Sequence, residues 1–288
     1  MGYLRAIYIA LMGMVFVGHI QAGTNARQHI DRLSDAAALL AQSQQSAGIA
    51  LADEIWNLAE LGYLEFQSSA ALQNYLFENG FRVDKGLGGI PTAFVASYRS
   101  NGADYADPVI AILAEFDALP GLNQAATPFR SVFKEGGSGH ACGHHLFGAA
   151  SSTAAVALSQ WLLANNVRAT IKLVGTPAEE GGSGKVYLAR AGVFDGVDVV
   201  LHWHPGDANS ASPSSTTSNK SGRFTFTGRA AHAASAPDRG RSALDGVEAM
   251  NYMVNLMREH VPQTARMHYV ITDGGDAPNI VPESAQVY

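Results

Sequence analysis

Four short segments of this chain concentrate side chains that bind metal ions or move protons. AEFDALPGL carries Asp117, GHACGHH carries His140, Cys142, His144 and His145, TPAEEGG carries Glu179 and Glu180, and LHWHP carries His202 and His204. Cys142 and His144 stand two apart, so in an extended or turn-like segment both side chains point to one side. There a thiolate sulfur and an imidazole nitrogen suit a zinc-like ion. His202 and His204 share a face for the same reason, and either could complete the set. Glu179 and Glu180 are adjacent, so at a strand end they face opposite ways: one can bind an ion while the other addresses a water as general base. Asp117 is expected either to bridge two ions or to fix a ligand imidazole through a hydrogen bond. Divalent ions acidify water and polarise an amide carbonyl, so the set points to hydrolysis without a protein nucleophile. The competing mechanism is a thiol hydrolase in which Cys142 attacks and His144 is the base; it leaves the glutamate pair and LHWHP without a task.

The elements that must hold these groups follow from hydrophobic spacing. Apolar residues recur at helical intervals through Leu33, Ala37, Leu40, Leu51, Ile55, Leu58 and Leu61, and again over 68–79. Short apolar runs at 94–98, 109–113, 170–175 and 197–201 predict buried strands, and 145–164 and 185–191 predict helices. Strands alternating with helices predict an α/β sheet covered on its faces, with each chemical segment just beyond a strand or opening a helix, where the sites of such sheets gather. The Ser, Thr, Asn and Pro content of 208–219 marks a boundary between a catalytic domain, 27–212, and a second domain, 213–288. In the latter, strands at 223–227, 267–271 and 285–288 and a helix at 242–260 give a βαββ order. The last strand ends with the chain, so both domains are expected to be parts of a longer protein, and an inactive truncated fragment of a metal-dependent hydrolase is the alternative expectation.

Composition narrows the function. Nineteen Lys and Arg against 25 Asp and Glu leave a net charge of −6, and no basic cluster provides the footprint of a nucleic-acid-binding protein. PAEEGGSGK lacks the residue order of a phosphate-binding loop, and the single cysteine excludes an intramolecular disulfide. Residues 1–26 combine Arg5, an apolar run over 6–20 and small residues at Ala22 and Gly23. That is the pattern of an export signal, too short for a membrane span. A periplasmic or secreted protein with no stable membrane association after cleavage is expected.

Together, AEFDALPGLNQ, GHACGHH, GTPAEEGGSGK, LHWHP, GRAAHAASAPDRGRSALDGVEAMN, REH and GGDAPNIVPESAQVY resemble the di-metal amidohydrolases of the aminoacylase, carboxypeptidase and auxin-conjugate hydrolase superfamily, nearest to its p-aminobenzoyl-glutamate hydrolase branch. The resemblance covers about 49–288. It implies a catalytic α/β domain with two zinc or manganese ions and an inserted α+β lid domain through which the protein forms a homodimer. The implied substrate is a small amide, either an N-acyl amino acid or a p-aminobenzoyl-glutamate-like compound. Cys142, His144 and Glu180 match metal ligands, and Glu179 matches the general base. His204 matches the ligand before the proline, while His202 stands where sister branches place theirs, so the choice between them is open. In the lid, His232 matches the histidine that stabilises the oxyanion in the partner subunit's site, and Asn279 matches a substrate contact. Three features depart from the pattern. His145 stands where relatives carry Asn or Asp, the late metal-binding histidine of the family falls beyond Tyr288, and the export signal is unusual beside cytoplasmic members.

Overall fold

The computed structural model describes residues 35–211, 215–216 and 218–288. The segment expected to be an export signal lies outside them. The described chain divides between Asn209 and Ser210 into two compact units.

In the first unit, a helical run over 35–43 leads into α1 (Gln45–Leu58), followed by α2 (Phe66–Glu78). The start of α2 is satisfied by one side chain: the Glu60 carboxylate accepts the Gln67 and Ser68 N–H groups at 3.1 and 2.7 Å. Five strands follow, β1 (Arg82–Lys85), β2 (Phe94–Arg99), β3 (Val109–Ala114), β4 (Thr170–Gly175) and β5 (Val199–Leu201), in the order β1-β2-β4-β3-β5. β3 runs parallel to both β4 and β5, while β2 joins β4 and β1 in antiparallel register. Phe94 lies opposite Gly175, and its ring fills the space a side chain there would need, since an added Cβ would fall 2.2 Å from the ring. The connections carry α3 (His144–Ala164) and α4 (Gly184–Arg190).

Alternation along the central strands sorts side chains to two faces. Phe94, Ala96, Ile112, Ala114, Ile171 and Leu173 join Ile55, Leu72 and Leu76 of the helices in one core. Val95, Ala111, Leu113 and Val174 join Phe147 and Leu188 in the other. Each such Val, Leu, Ile or Phe side chain, once fully buried, contributes about 1.5–3 kcal/mol. This two-sided burial makes β3 and β4 a rigid platform, and the α/β expectation is met.

Two strands differ from expectation. β1 was not foreseen, because RVDK is an edge strand whose polar residues carry no apolar run. The strand expected over 197–201 is only Val199–Leu201, and instead of being buried its residues stand about half exposed (47, 47 and 50%) at the other edge of the sheet.

The second unit contains β6 (Phe224–Thr227), α5 (Ala243–Met257), β7 (Ile271–Asp273) and β8 (Ser284–Val287), with sheet order β6-β8-β7, all antiparallel. Ser242 caps α5 by accepting the Asp245 N–H at 3.2 Å, and Ala243 and Val247 pack on Ala285 and Val287. The βαββ order is as expected, but β7 begins where the expected strand 267–271 ends. The MHYV stretch before it makes no ladder of its own apart from the reciprocal Val270 and Tyr288 hydrogen bonds.

Candidate metal centre

Three of the four chemical segments of the first unit emerge from the C-terminal ends of parallel strands, and the fourth, GHACGHH, leads into a helix. Glu115 and Asp117 follow β3, Thr176 to Glu180 follow β4, and His202 to His204 follow β5, while α3 opens with His144. Gly148 permits this convergence: an added Cβ would lie 2.8 Å from the Glu115 carbonyl oxygen, so a glycine lets the first turns of α3 close on the end of β3. Trp203 donates its indole N–H to Ser151 Oγ at 3.1 Å, which ties the LHWHP segment to α3, where Phe147 packs edge-on against His202 and Trp203.

His144, fully buried, is the pivot. Its Nδ1 hydrogen-bonds Asp117 Oδ1 at 2.9 Å, which leaves Nε2 to face Glu115 Oε2 at 2.9 Å and Glu179 Oε2 at 3.9 Å. Nε2 and Glu115 Oε2 are buried and face each other, with no other partner. A nitrogen and an oxygen that each bind one ion at about 2.0–2.2 Å stand about 3 Å apart. The pair therefore fits a proton or, in its place, a cation.

Cys142 Sγ lies 3.5 Å from His204 Nε2, and these two atoms and an imidazole nitrogen of His144 all fall within 4.8 Å of one another. A sulfur at about 2.3 Å and a nitrogen at about 2.0 Å from one tetrahedral ion stand about 3.5 Å apart. His204 Nδ1 is hydrogen-bonded to the Pro205 carbonyl at 3.0 Å, so it carries the proton and Nε2 presents its lone pair. Glu115, His144 and Glu179 form a second, overlapping group. The residues fit divalent ions in number, type and direction. His202 is in neither group and places its Nε2 3.4 Å from Glu115 Oε1.

The glutamate pair sits on a turn rather than on a strand end. Ala178 is held at φ 54° and Gly181 at φ 84°, so the chain reverses sharply around Glu179 and Glu180. The separation of the two carboxylates survives: Glu179 remains 44% exposed, whereas Glu180 is half-buried with Oε1 unpartnered. Of the two roles open to Asp117, the geometry supports the fixing of a ligand. Both its oxygens are committed to protein groups, Oδ1 to His144 and Oδ2 to the Glu180 N–H at 2.9 Å.

Charge is concentrated here. Burial alone would depress the His144 imidazole, but the Asp117 hydrogen bond and the Glu115 carboxylate outweigh it and push its pKa up to about 10. Burial works against the Glu115 anion, yet His144 and the Lys185 ammonium, which contacts Oε1, bring it down to about 2. Burial, reinforced by Glu180 against the sulfur, pushes the Cys142 thiol up to about 12. A thiol nucleophile needs the opposite shift. Burial, then Glu115, raises Glu179 above the usual carboxylate range.

Glu115 and Lys185 were missed in the sequence. Glu115 precedes Asp117 by two residues and so shares its direction, which is the signal that could have found it. His140 and His145 are drawn elsewhere: His140 Nε2 is bound to the Ile55 carbonyl at 3.0 Å, and His145 stacks edge-on against Trp56 at 4.8 Å. Of the three histidines flanking Cys142, only His144 joins the ligand groups. In the second unit, exposed His232 bridges to Ile280, and the Ala233 N–H donates to the Asn279 carbonyl at 3.0 Å, so His232 and Asn279 share one edge.

The fold and site thus define an α/β protein with a candidate divalent-ion centre at the carboxyl ends of its parallel strands. Residues 111–282 match the signature of Peptidase family M20/M25/M40, and the chain belongs to that family. It is 43% identical over 239 residues to one of the p-aminobenzoyl-glutamate hydrolase subunits of Escherichia coli (strain K12), covering 82% of this chain and 49% of that one. It is 31% identical over 285 residues to the Xaa-Arg dipeptidase of Mus musculus, covering 96% and 62%. Among solved structures, a dinuclear metal-binding peptidase of the M20 family from Bacillus subtilis superposes with a TM-score of 0.50 at 22% identity, over 85% of this chain and 63% of that one. The chain therefore spans about half to two thirds of the length of these relatives.

Proposed function

We propose that this protein hydrolyses the amide bond of small N-acyl amino acids or p-aminobenzoyl-glutamate-like compounds, using two divalent ions, zinc or manganese. The observation that carries the reading is the convergence of Cys142, His144 and His204 on one point beside the buried Glu115 carboxylate. The two relatives named above are called a p-aminobenzoyl-glutamate hydrolase and an Xaa-Arg dipeptidase, and both names describe an amide joining an acyl group to an amino acid.

Bound ions supply the Lewis acidity that polarises the amide carbonyl and acidifies water. His144, His204, Cys142 and Glu180 would hold them. Among these holders the Cys142 sulfur contacts both His204 and Glu180. Glu179 is the exposed acid of the pair, and its raised pKa suits it to take the proton of the attacking water and return it to the leaving nitrogen. Asp117 keeps the His144 tautomer with Nε2 free.

The second unit serves as a lid and joins two copies in a homodimer. His232 accepts the Ala234 and Ser235 N–H groups on Nδ1, at 3.2 and 3.3 Å, so its Nε2 carries the proton and is a donor for an oxyanion. Asn279 beside it contacts the substrate. The leader-like residues 1–26 support a site of action outside the cytoplasm. The test is release of free amine from a panel of N-acyl amino acids and p-aminobenzoyl-glutamate before and after chelation. Turnover that disappears with the ions and returns on reloading is expected; turnover that persists in protein verified to be ion-free would overturn the reading.

A further inference from the structure

Glu65 is a carboxylate with no exposed surface, and the mechanism above gives it no task. Both its oxygens are engaged: Oε1 accepts the Ala178 N–H at 2.7 Å, and Oε2 accepts the Thr92 hydroxyl at 3.1 Å. It belongs to neither ligand group and cannot touch a substrate. What it holds, however, is the residue immediately before Glu179. Ala178 is in the left-handed region at φ 54°, a conformation that an alanine adopts only under constraint.

The constraint comes from one loop. Gly62 packs so closely on Ala178 that an added Cβ would lie 3.1 Å from its Cα, and the Tyr63 hydroxyl donates to the Gly182 carbonyl at 2.5 Å. Glu65 itself sits at the start of α2, where Ser69 Oγ bonds the Thr92 carbonyl at 2.7 Å and Gln73 bonds Ser69 at 2.7 Å. The acceptor is thereby fixed to a rigid helix. On the other side of Glu179, the Glu180 N–H is held by Asp117 Oδ2 at 2.9 Å. The backbone N–H groups before and after Glu179 thus each hang from a different buried carboxylate, while the Glu179 side chain itself is only half-covered.

We propose that Glu65 is a positioning residue for the general base: by accepting the Ala178 N–H it holds the turn that aims Glu179 at the ion centre. The proposal rests on the reading of Glu179 as base. It acts as a hydrogen-bond acceptor, so a carboxamide serves as well as a carboxylate, with its oxygen toward Ala178 and its NH2 toward the Thr92 hydroxyl.

The test compares Glu65→Gln with Glu65→Leu in the ion-loaded protein, reading amide hydrogen exchange at Ala178, ion content, kcat and KM. In Glu65→Leu, exchange at Ala178 accelerates about tenfold or more. kcat falls about 100-fold with KM within about threefold, the cost of a misdirected group, and ion content is unchanged. Glu65→Gln stays near the unaltered protein in all four. If Glu65→Leu does not fold, Glu65→Asp, which withdraws the acceptor by one methylene, is read in its place by the same criteria. Unchanged exchange at Ala178, a loss in Glu65→Gln equal to that in Glu65→Leu, or a fall of kcat only in step with lost ions would overturn the proposal. Exchange is read without substrate. Faster exchange in Glu65→Leu alongside an unaltered protein that hydrolyses no amide would therefore refute the reading of the reaction and leave the hold on the turn standing.

Discussion

In the five-stranded unit, the groups around His144 are tied to one another and to the protein: His144 to Asp117, Asp117 to the Glu180 backbone, and Glu115 to the part-buried Lys185. In the three-stranded unit, His232 is exposed, and its ring is held only by two backbone N–H groups donating to Nδ1. The first arrangement fixes several atoms relative to one another, as an ion demands. The second fixes a tautomer and leaves the ring at the surface, which is sufficient for a single donor. The cost of substitution should differ accordingly: at the groups that hold or orient the ions it falls on ions and stability together, and at His232 on turnover alone.

The largest effect is expected at Glu179. Glu179→Gln should lower kcat about a thousandfold or more, in line with the loss of general acid–base catalysis, while the ion content measured by mass spectrometry is retained. Lost ions would move Glu179 from base to ligand. Next, His232→Ala should lower kcat by about 100-fold, the usual cost of one oxyanion donor. Its thermal stability should stay within about 0.5 kcal/mol, because the ring is exposed. A substantial loss of stability would erase the contrast between the units.

Asp117→Asn sharpens the comparison from the other side. One amide cannot accept from both His144 and the Glu180 N–H, so calorimetry should show ion affinity reduced by about 10- to 100-fold. Stability should drop by about 2 kcal/mol for the broken charged hydrogen bond. The smallest effects are those of pH on the ion-free protein. The His144 pKa is raised to about 10 from an ordinary 6.5, so its contribution to stability is present below pH 6.5 and lost as pH rises through about 10. The Glu115 pKa is lowered from 4.5 to about 2, so its contribution is present above pH 4.5 and lost as pH falls through about 2. Thermal melts of ion-free protein should show this pair contributing most between pH 4.5 and 6.5. Ions compete with the His144 proton, so their affinity should rise with pH, with about one proton released there on binding. Affinity that does not vary with pH would remove His144 from the ligands.

Much of this was legible in the sequence because parallel strands buried on both faces leave continuous apolar runs, and such strands deliver their sites at one end. The runs at 109–113 and 170–175 gave β3 and β4 to within a residue, and with them the placement of Asp117 and the glutamate pair. β1 escaped because its register with β2, not its own composition, makes it a strand. β5 was expected to be buried because VVL reads as core, but composition does not say what lies beside an edge. Glu115 was missed because a carboxylate beside Phe116 in an apolar segment gives no sign that Lys185, 70 residues later, comes to rest on it. The left-handed Ala178 was equally invisible, since an alanine advertises no turn, and the groups packed on it, Gly62 and Glu65, lie far from it in the sequence.

The central claim is that one sulfur and several imidazole and carboxylate groups share divalent ions at the ends of β3, β4 and β5. X-ray absorption of the zinc-loaded protein tests it directly. A sulfur shell at about 2.3 Å, beside nitrogen and oxygen at about 2.0–2.2 Å, is expected. That shell should vanish in Cys142→Ser; zinc bound with no sulfur in its shell, or a sulfur shell indifferent to that substitution, would contradict the account.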